Sequence, residues 1–244
     1  MCTITQWFGR FGNNVLQLAK AIQICENEGI DIIIFPKHEL FNSQSIKIEI
    51  KNPSNKKIAD TFFYTKFTLE PYEIKERCMK YIKPILKVSV SVPDTCDVDL
   101  IAHLRSGDIF GNSPHPAYIQ PPLSYYRNVI NYRPVTIIYE DSKNPCVEEL
   151  KKLNNVTSYH STLENDLKML LSCKEIIAGF GTFCLSVYFL SEKLKVLHLP
   201  KEFYDTCPIG NWGSVTVHVH DFPGYIKSGE WKNTKEQRDI ILNY

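Results

Sequence analysis

The apolar positions of this chain fall into short uninterrupted runs separated by longer amphipathic stretches, the pattern of buried parallel strands alternating with helices. Residues 2–8 read as a short strand. The loop Phe8-Gly-Arg-Phe-Gly-Asn-Asn14 follows, and Val15, Leu16, Leu18, Ala19, Ile22 and Ile24 then recur close to helical spacing, with Asn13 or Asn14 as the expected N-cap. After Glu28-Gly29 the run Ile30–Phe35 is the next buried strand, so the chain opens on a β-loop-α-β unit. Residues 38–60 are polar, with a short alternating run at Ser45–Ile50 and turn material at Asn52-Pro-Ser. Phe62, Phe63, Tyr64 and Phe67 fit core packing better than the wall of a sugar site. Residues 71–86 read as helical, and a boundary is expected at Ser91–Cys96.

The alternation is stronger in the second part. A central strand over 98–105 leads into a loop at 111–122 stiffened by four prolines, which suits a wall holding His115, Tyr118 and Gln120. Helices are expected from Leu123 and over 145–153, 164–173, 183–190 and 234–243. Strands are expected over 134–139, 156–159, 176–178, 196–199 and 215–220, with a tight turn at Gly179–Thr182. The fold class is therefore α/β, with an N-terminal α/β domain over 1–94 and a Rossmann-like domain over 95–244.

Composition narrows this only a little. The chain has 244 residues, enough for one large domain or two small ones, and its net charge of +1 gives no electrostatic case for nucleic acid. None of its eight cysteines forms a Cys-x-x-Cys pair, and several lie in apolar patterns, so reduced thiols are expected rather than a zinc site. The first residues carry no basic stretch followed by an apolar one, and no apolar run reaches membrane-spanning length. The expectation is a cytoplasmic protein without an integral membrane segment, and a lumenal fragment fits the same features. The oligomeric state stays open.

The chemistry gathers where apolar runs stop. Leu100-Ile-Ala-His-Leu-Arg-Ser-Gly-Asp108 ends a strand on His103, Arg105 and Asp108, and such strand ends deliver groups to the carboxyl edge of a parallel sheet. A planar guanidinium grips a diphosphate with two parallel hydrogen bonds, and a glycine beside it lets backbone approach a ligand. The same residues also fit a strand end with a solvated Arg–Asp pair. Three strand-to-helix turns offer backbone amides to an anion: Gly9–Asn14, the turn after Arg105, and Gly179–Phe183. None is a Walker loop or a Gly-x-Gly-x-x-Gly. His218 and His220 share one strand face without a third nearby ligand, which fits packing better than zinc.

Three of these blocks carry a resemblance. Gly9-Arg-Phe-Gly-Asn-Asn14 resembles the opening Gly-Arg-Leu-Gly-Asn-Gln of the α1,2-fucosyltransferases. His103-Leu-Arg-Ser-Gly-Asp108 resembles the His-x-Arg-Arg-Gly-Asp motif of the wider fucosyltransferase superfamily, which includes α1,6- and protein O-fucosyltransferases. Glu164–Lys174 followed by Gly181-Thr-Phe-Cys-Leu-Ser186 is similar to that family's last block, and the three occur in the family's order. The resemblance implies a GT-B-type architecture with the donor site in the C-terminal domain. It implies inverting, metal-independent transfer, with no cofactor, from a GDP- or UDP-linked nucleotide sugar, fucose by default, to a glycan acceptor. It places Arg105 on the donor diphosphate, His103 beside the ribose or base, Thr182 and Phe183 after Gly181 on phosphate, and Asp166 or Glu164 at the base. Gly9, Arg10, Gly12 and Asn13 would border the site from the first domain.

Asp108 is the nearest carboxylate for a general base, with His115, Glu140 and Asp141 as rivals, and Glu140 is also counted among donor-binding residues. His115, Tyr118 and Trp212 are the acceptor-side candidates. Ser106 stands where the family has a second arginine, and Cys184 where it has a second serine. These departures leave a UDP-xylose-type donor as the alternative. A non-catalytic nucleotide- or glycan-binding module is the alternative of another class.

Overall fold

The computed structural model describes residues 1–62, 69–87, 99–207 and 215–244. The chain divides into two compact units, Met1–Ser91 with Leu185–Ser191, and Val92–Cys184 with Glu192–Tyr244.

The first unit begins with β1 (Cys2–Ile4), α1 (Phe11–Glu28) and β2 (Ile32–Ile34), the two strands parallel. β3 (Ser45–Lys47) adds to β2 antiparallel and β4 (Ile58–Asp60) adds to β1 parallel, giving the order β3-β2-β1-β4. α2 (Pro71–Arg77) winds on through a wider turn at Cys78–Ile82 and a tighter one at Lys83–Ile85, so the helical reading of 71–86 holds almost throughout. Helix α1 buries Val15, Leu18, Ala19, Ile22 and Cys25 completely, and stops where Gly29 takes φ +66° and returns its N–H to the Cys25 carbonyl.

Two local expectations need correction. The first strand ends at Ile4, not Phe8. Helix α1 starts at Phe11, with Arg10 in the capping position and no side-chain cap bond, so neither Asn13 nor Asn14 is the cap. The physical reason is the burial of Phe11, which draws the first turn inward. Asn14 lies inside the helix and closes the preceding loop from within. Its Nδ2 donates to the Phe8 carbonyl at 3.0 Å and to Gln17 Oε1 at 3.1 Å, while Phe8 N donates to the same Oε1. Phe62 is buried; Phe63, Tyr64 and Phe67 lie outside the described residues.

The second unit runs β5 (Leu100–Leu104), α3 (Leu123–Ile130), β6 (Val135–Tyr139), α4 (Pro145–Lys151), β7 (Val156–Tyr159) and α5 (Leu163–Ser172). It continues with β8 (Glu175–Ala178), the first turn of α6 (Thr182–Leu190), whose remainder from Leu185 belongs to the first unit, β9 (Val196–Pro200), α7 (Lys201–Tyr204), β10 (Thr216–His220) and α8 (Lys235–Asn243). Its six strands lie in the order β7-β6-β5-β8-β9-β10, every neighbouring pair parallel. Counted from the unit's first strand, this is 3-2-1-4-5-6, the doubly wound Rossmann order. The central strands are buried on both faces, which is why they read as continuous apolar runs. The α/β expectation is met.

Trp231 is buried, donates Nε1–H to the Ile109 carbonyl at 2.8 Å and packs edge-on against Phe110, and Trp7 donates to the Pro36 carbonyl at 3.0 Å. Both tryptophans are packing residues. The four-residue helix α7 was not expected from the sequence. No helix among the described residues is long and apolar enough to cross a membrane.

Candidate functional site

In the order 3-2-1-4-5-6, connections leave β5 toward one edge and β8 toward the other, so a crevice opens outside the carboxyl ends of these two neighbours. Arg105 follows β5 and Gly179–Thr182 follows β8, so the two turns the sequence singled out meet at that switch point. They meet closely. A Cβ on Gly179 would stand 2.9 Å from the His103 carbonyl oxygen and 3.2 Å from Arg105 N. A Cβ on Gly181, whose φ is +130°, would stand 2.3 Å from Arg105 Nη1. The guanidinium therefore lies on the bare Cα of Gly181, just before the first turn of α6 at Thr182 and Phe183.

Arg105 is held from three other sides. Its Nη2 donates to both carboxylate oxygens of Asp108, at 3.2 and 3.3 Å, and its Nη1 reaches the Phe180 carbonyl at a long 3.4 Å. The ring of Tyr118 covers it, with Cζ 4.6 Å from the centroid, and Tyr118 in turn tilts against His115 at 4.8 Å. So the proline-stiffened loop does supply a wall, and it is Tyr118 that touches the cation. Arg105 Nε is buried without a hydrogen-bond partner, as are His103 Nδ1 and Tyr126 Oη. Buried donors left unmatched are costly, and they concentrate where a ligand completes the bonding.

The backbone under Arg105 is fixed by Asn144, which the sequence reading passed over, and by Ser106, which it took only as a departure from the motif. Asn144 caps α4, accepting from Cys146 N at 3.0 Å, and donates Nδ2–H to the Arg105 carbonyl at 2.8 Å. Ser106 is fully buried; its hydroxyl donates to Asp141 and accepts from Asn144 N at 3.2 Å. Burial alone would raise the Asp141 carboxyl, but hydrogen bonds from Ser106, Lys143 and Gly107 outweigh it and hold it at about 2. So firmly ionised and occupied, Asp141 is unsuited as a general base. Glu140 packs on Gly107, where a Cβ would stand 2.4 Å from Oε2, and the φ of +66° there would strain any side chain.

His103 points its ring toward Phe183 at 5.3 Å. Burial, and then the Arg105 cation, push its pKa down to about 4, so it is neutral at pH 7 although part of the residue still reaches the surface. Asp166 lies in the first half of α5, whose N-cap Thr162 accepts from Asn165 N. It is buried, its Oδ1 lacks a partner, and burial raises its pKa to about 6 against the opposing charge of His160. His160 stacks on Tyr139 at 5.5 Å, at the end of β6.

A carboxyl raised in the folded state gives stability below its unfolded pKa and loses it as pH rises through 6. Asp166→Asn is therefore expected to stabilise the protein by about 1 kcal/mol at pH 7.5, after discounting for partial solvation, and by nothing at pH 4. Thermal melts at the two pH values check this; an equal effect at both would contradict it.

Gly9, Arg10, Gly12 and Asn13 belong to the first unit, at the turn between β1 and α1. There Gly9 takes φ +66° with the Asn13 side chain folded over it, Gly12 is buried and Arg10 is exposed. Trp212 lies outside the described residues. The sequence also contains Asp97-Val-Asp99, but Asp99 stands at the amino end of β5, opposite Arg105, and binds Lys174 at 2.7 Å; Asp97 is not among the described residues. No cluster of three or more metal-ligating residues occurs among the described residues.

His198 on β9 shares a hydrogen bond between its Nδ1 and His220 Nε2 at 3.0 Å, and its Nε2 bonds Glu175 at 2.9 Å. His218 stacks on it at 5.0 Å. The paired strand histidines are thus packing groups on a third histidine that sequence spacing did not connect to them.

No protein-family model matches the chain, and no curated protein matches it. Among solved structures, the E. coli ADP-heptose lps heptosyltransferase II is similar over 60% of this chain and 45% of its own length, at 14% identity and a TM-score of 0.32. The match thus takes in less than half of that protein.

Proposed function

We propose that this chain is an inverting glycosyltransferase of the GT-B type that moves a sugar, fucose by default, from a nucleoside diphosphate to a glycan hydroxyl. The observation that carries the reading is Arg105. It lies at the switch point, against Gly181 at the start of α6, with a buried Nε that lacks a partner. A cation, a helix N-terminus and a glycine that admits close approach are what a diphosphate requires. Arg105 and the Thr182 and Phe183 amides take the diphosphate, neutral His103 lies beside the ribose, and Asp166 faces the base. Guanine suits a carboxylate there, because it offers two adjacent N–H donors. The second unit holds the donor.

In this reading the acceptor oxygen forms a bond to the anomeric carbon while the carbon–oxygen bond to the diphosphate breaks. The bonding pair leaves with the diphosphate, whose charge Arg105 offsets in place of a metal. Once the diphosphate engages the guanidinium, Asp108 is released from it and takes the acceptor proton.

The test is turnover of GDP-fucose in the presence of EDTA, followed as GDP release with and without a glycan acceptor set. Slow release alone, quickened by an acceptor, is expected, and Asp108→Asn should lower turnover about a hundredfold while GDP still binds. Turnover of UDP-xylose instead would keep the chemistry and change the sugar. Binding without turnover of any donor would leave a non-catalytic module and contradict the proposal.

A further inference from the structure

A second cleft is lined in part by Phe180, whose carbonyl meets Arg105. Its walls are the proline loop, the end of β9 with the residues after it, and the turn after β10; it is shallow and open to solvent, with a cavity volume of about 30 Å³, so a ligand would lie across its mouth and reach in with a single group. Gln120 stands in its wall and is fully buried, with both the Nε2 and the Oε1 of its amide lacking a partner. Neither atom is bonded, yet the residue is not loose. Its carbonyl accepts from the Tyr225 hydroxyl at 2.8 Å, and Pro121 and Pro122 follow it. A buried amide fixed in place with an idle donor and an idle acceptor is matched by a ligand group that both gives and takes hydrogen bonds. A sugar hydroxyl is such a group.

The remaining walls agree. Phe180, Phe222, Tyr225, Pro121 and Pro200 supply apolar surface of the kind against which the C–H face of a sugar ring stacks. Glu202 and Asp221 add carboxylate acceptors, and Lys201, also in the lining, is paired with Asp205. The lining thus carries no cation free for an anion, whereas the Arg105 crevice does. Phe180 belongs to both, giving its carbonyl to Arg105 and lining the cleft.

We infer that this cleft is a subsite for a neutral polyhydroxylated sugar ring, read by the Gln120 side-chain amide beside the diphosphate grip. The inference rests on the glycosyltransferase reading and specifies it. Either the donor sugar or an acceptor sugar has this chemistry, and the experiment separates the two.

The variant is Gln120→Leu, close in volume and without the unmatched amide, with Gln120→Ala beside it and melting curves to confirm folding. GDP, GDP-fucose, UDP and UDP-xylose are titrated calorimetrically against each protein. Free monosaccharides are examined by saturation-transfer NMR. If the cleft takes the donor sugar, wild type binds a nucleotide sugar about tenfold more tightly than its nucleotide. Gln120→Leu then abolishes that advantage and leaves the affinity for the bare nucleotide unchanged. If it takes the acceptor, a free monosaccharide gives saturation transfer with wild type and none with Gln120→Leu, whatever the nucleotide does. Sugar binding that is equal in wild type and Gln120→Leu, or absent from wild type in both experiments, overturns the inference. A wild type that binds no nucleotide defeats the glycosyltransferase reading separately, and the monosaccharide spectra then decide the cleft by themselves.

Discussion

Gly181→Ala is expected to lower nucleoside diphosphate affinity about a hundredfold while leaving a folded protein. The added methyl would stand 2.3 Å from Arg105 Nη1, so the guanidinium must leave its place on the turn. The end of an arginine side chain moves easily, and the fold survives that contact. The φ of +130° adds strain for any side-chain-bearing residue, about 1–3 kcal/mol. What is lost is the alignment of the cation with the start of α6. Two charge-assisted hydrogen bonds contribute about 3 kcal/mol, which is roughly a hundredfold in affinity. Arg105→Ala should therefore match Gly181→Ala in binding without its loss of melting temperature. Titration of GDP into both variants, with melting curves alongside, checks the pair. Undiminished binding in Gly181→Ala would separate Arg105 from the ligand.

The second large effect is on stability against acid. His103 and His220 are pushed down to about 4, both chiefly by burial, and His198 is lowered by burial against the pull of Glu175. A histidine depressed in the folded state takes up a proton on unfolding, so stability is full above its unfolded pKa, near 6.5, and falls as pH drops toward 4. His103 alone contributes about 3 kcal/mol over that window. The half-exposed His220 contributes less than its shift implies, because solvent screens it. Asp166 runs the other way, gaining stability as it protonates below 6, but it is one group against three. Denaturant unfolding at pH 7.5 and 4.5 should show a loss of at least about 3 kcal/mol. Replacing His103 by Gln should remove most of that loss. A flat profile would mean that these imidazoles are not held neutral.

The alternation of strands and helices was legible because parallel strands covered on both faces must be apolar along their whole length. The same logic exposed Arg105. A charge at the end of such a run, with a glycine two residues on, interrupts the pattern where the sheet's carboxyl edge begins. Gly181 was legible as a turn, but not as the surface on which Arg105 lies, since that contact joins residues far apart in sequence. Asn144 and Ser106 were hidden for the same reason. Each bonds across from the β5 end to the β6 end, and singly each reads as an ordinary polar loop residue. Gln120 sits between proline and isoleucine in a stretch that reads as surface, and nothing in the sequence marks its amide as buried and unmatched. The start of α1 was misplaced because two asparagines satisfied a capping rule, while the burial of Phe11 set the actual boundary.

The central claim is that the switch point of the second unit holds a nucleoside diphosphate through Arg105. Calorimetric titration of GDP and UDP, in EDTA, into wild type and Arg105→Ala tests it most directly. The account predicts saturable binding to wild type, tighter for GDP, and a loss of about a hundredfold in the variant. Binding of equal strength to both proteins, or none to wild type, would contradict it.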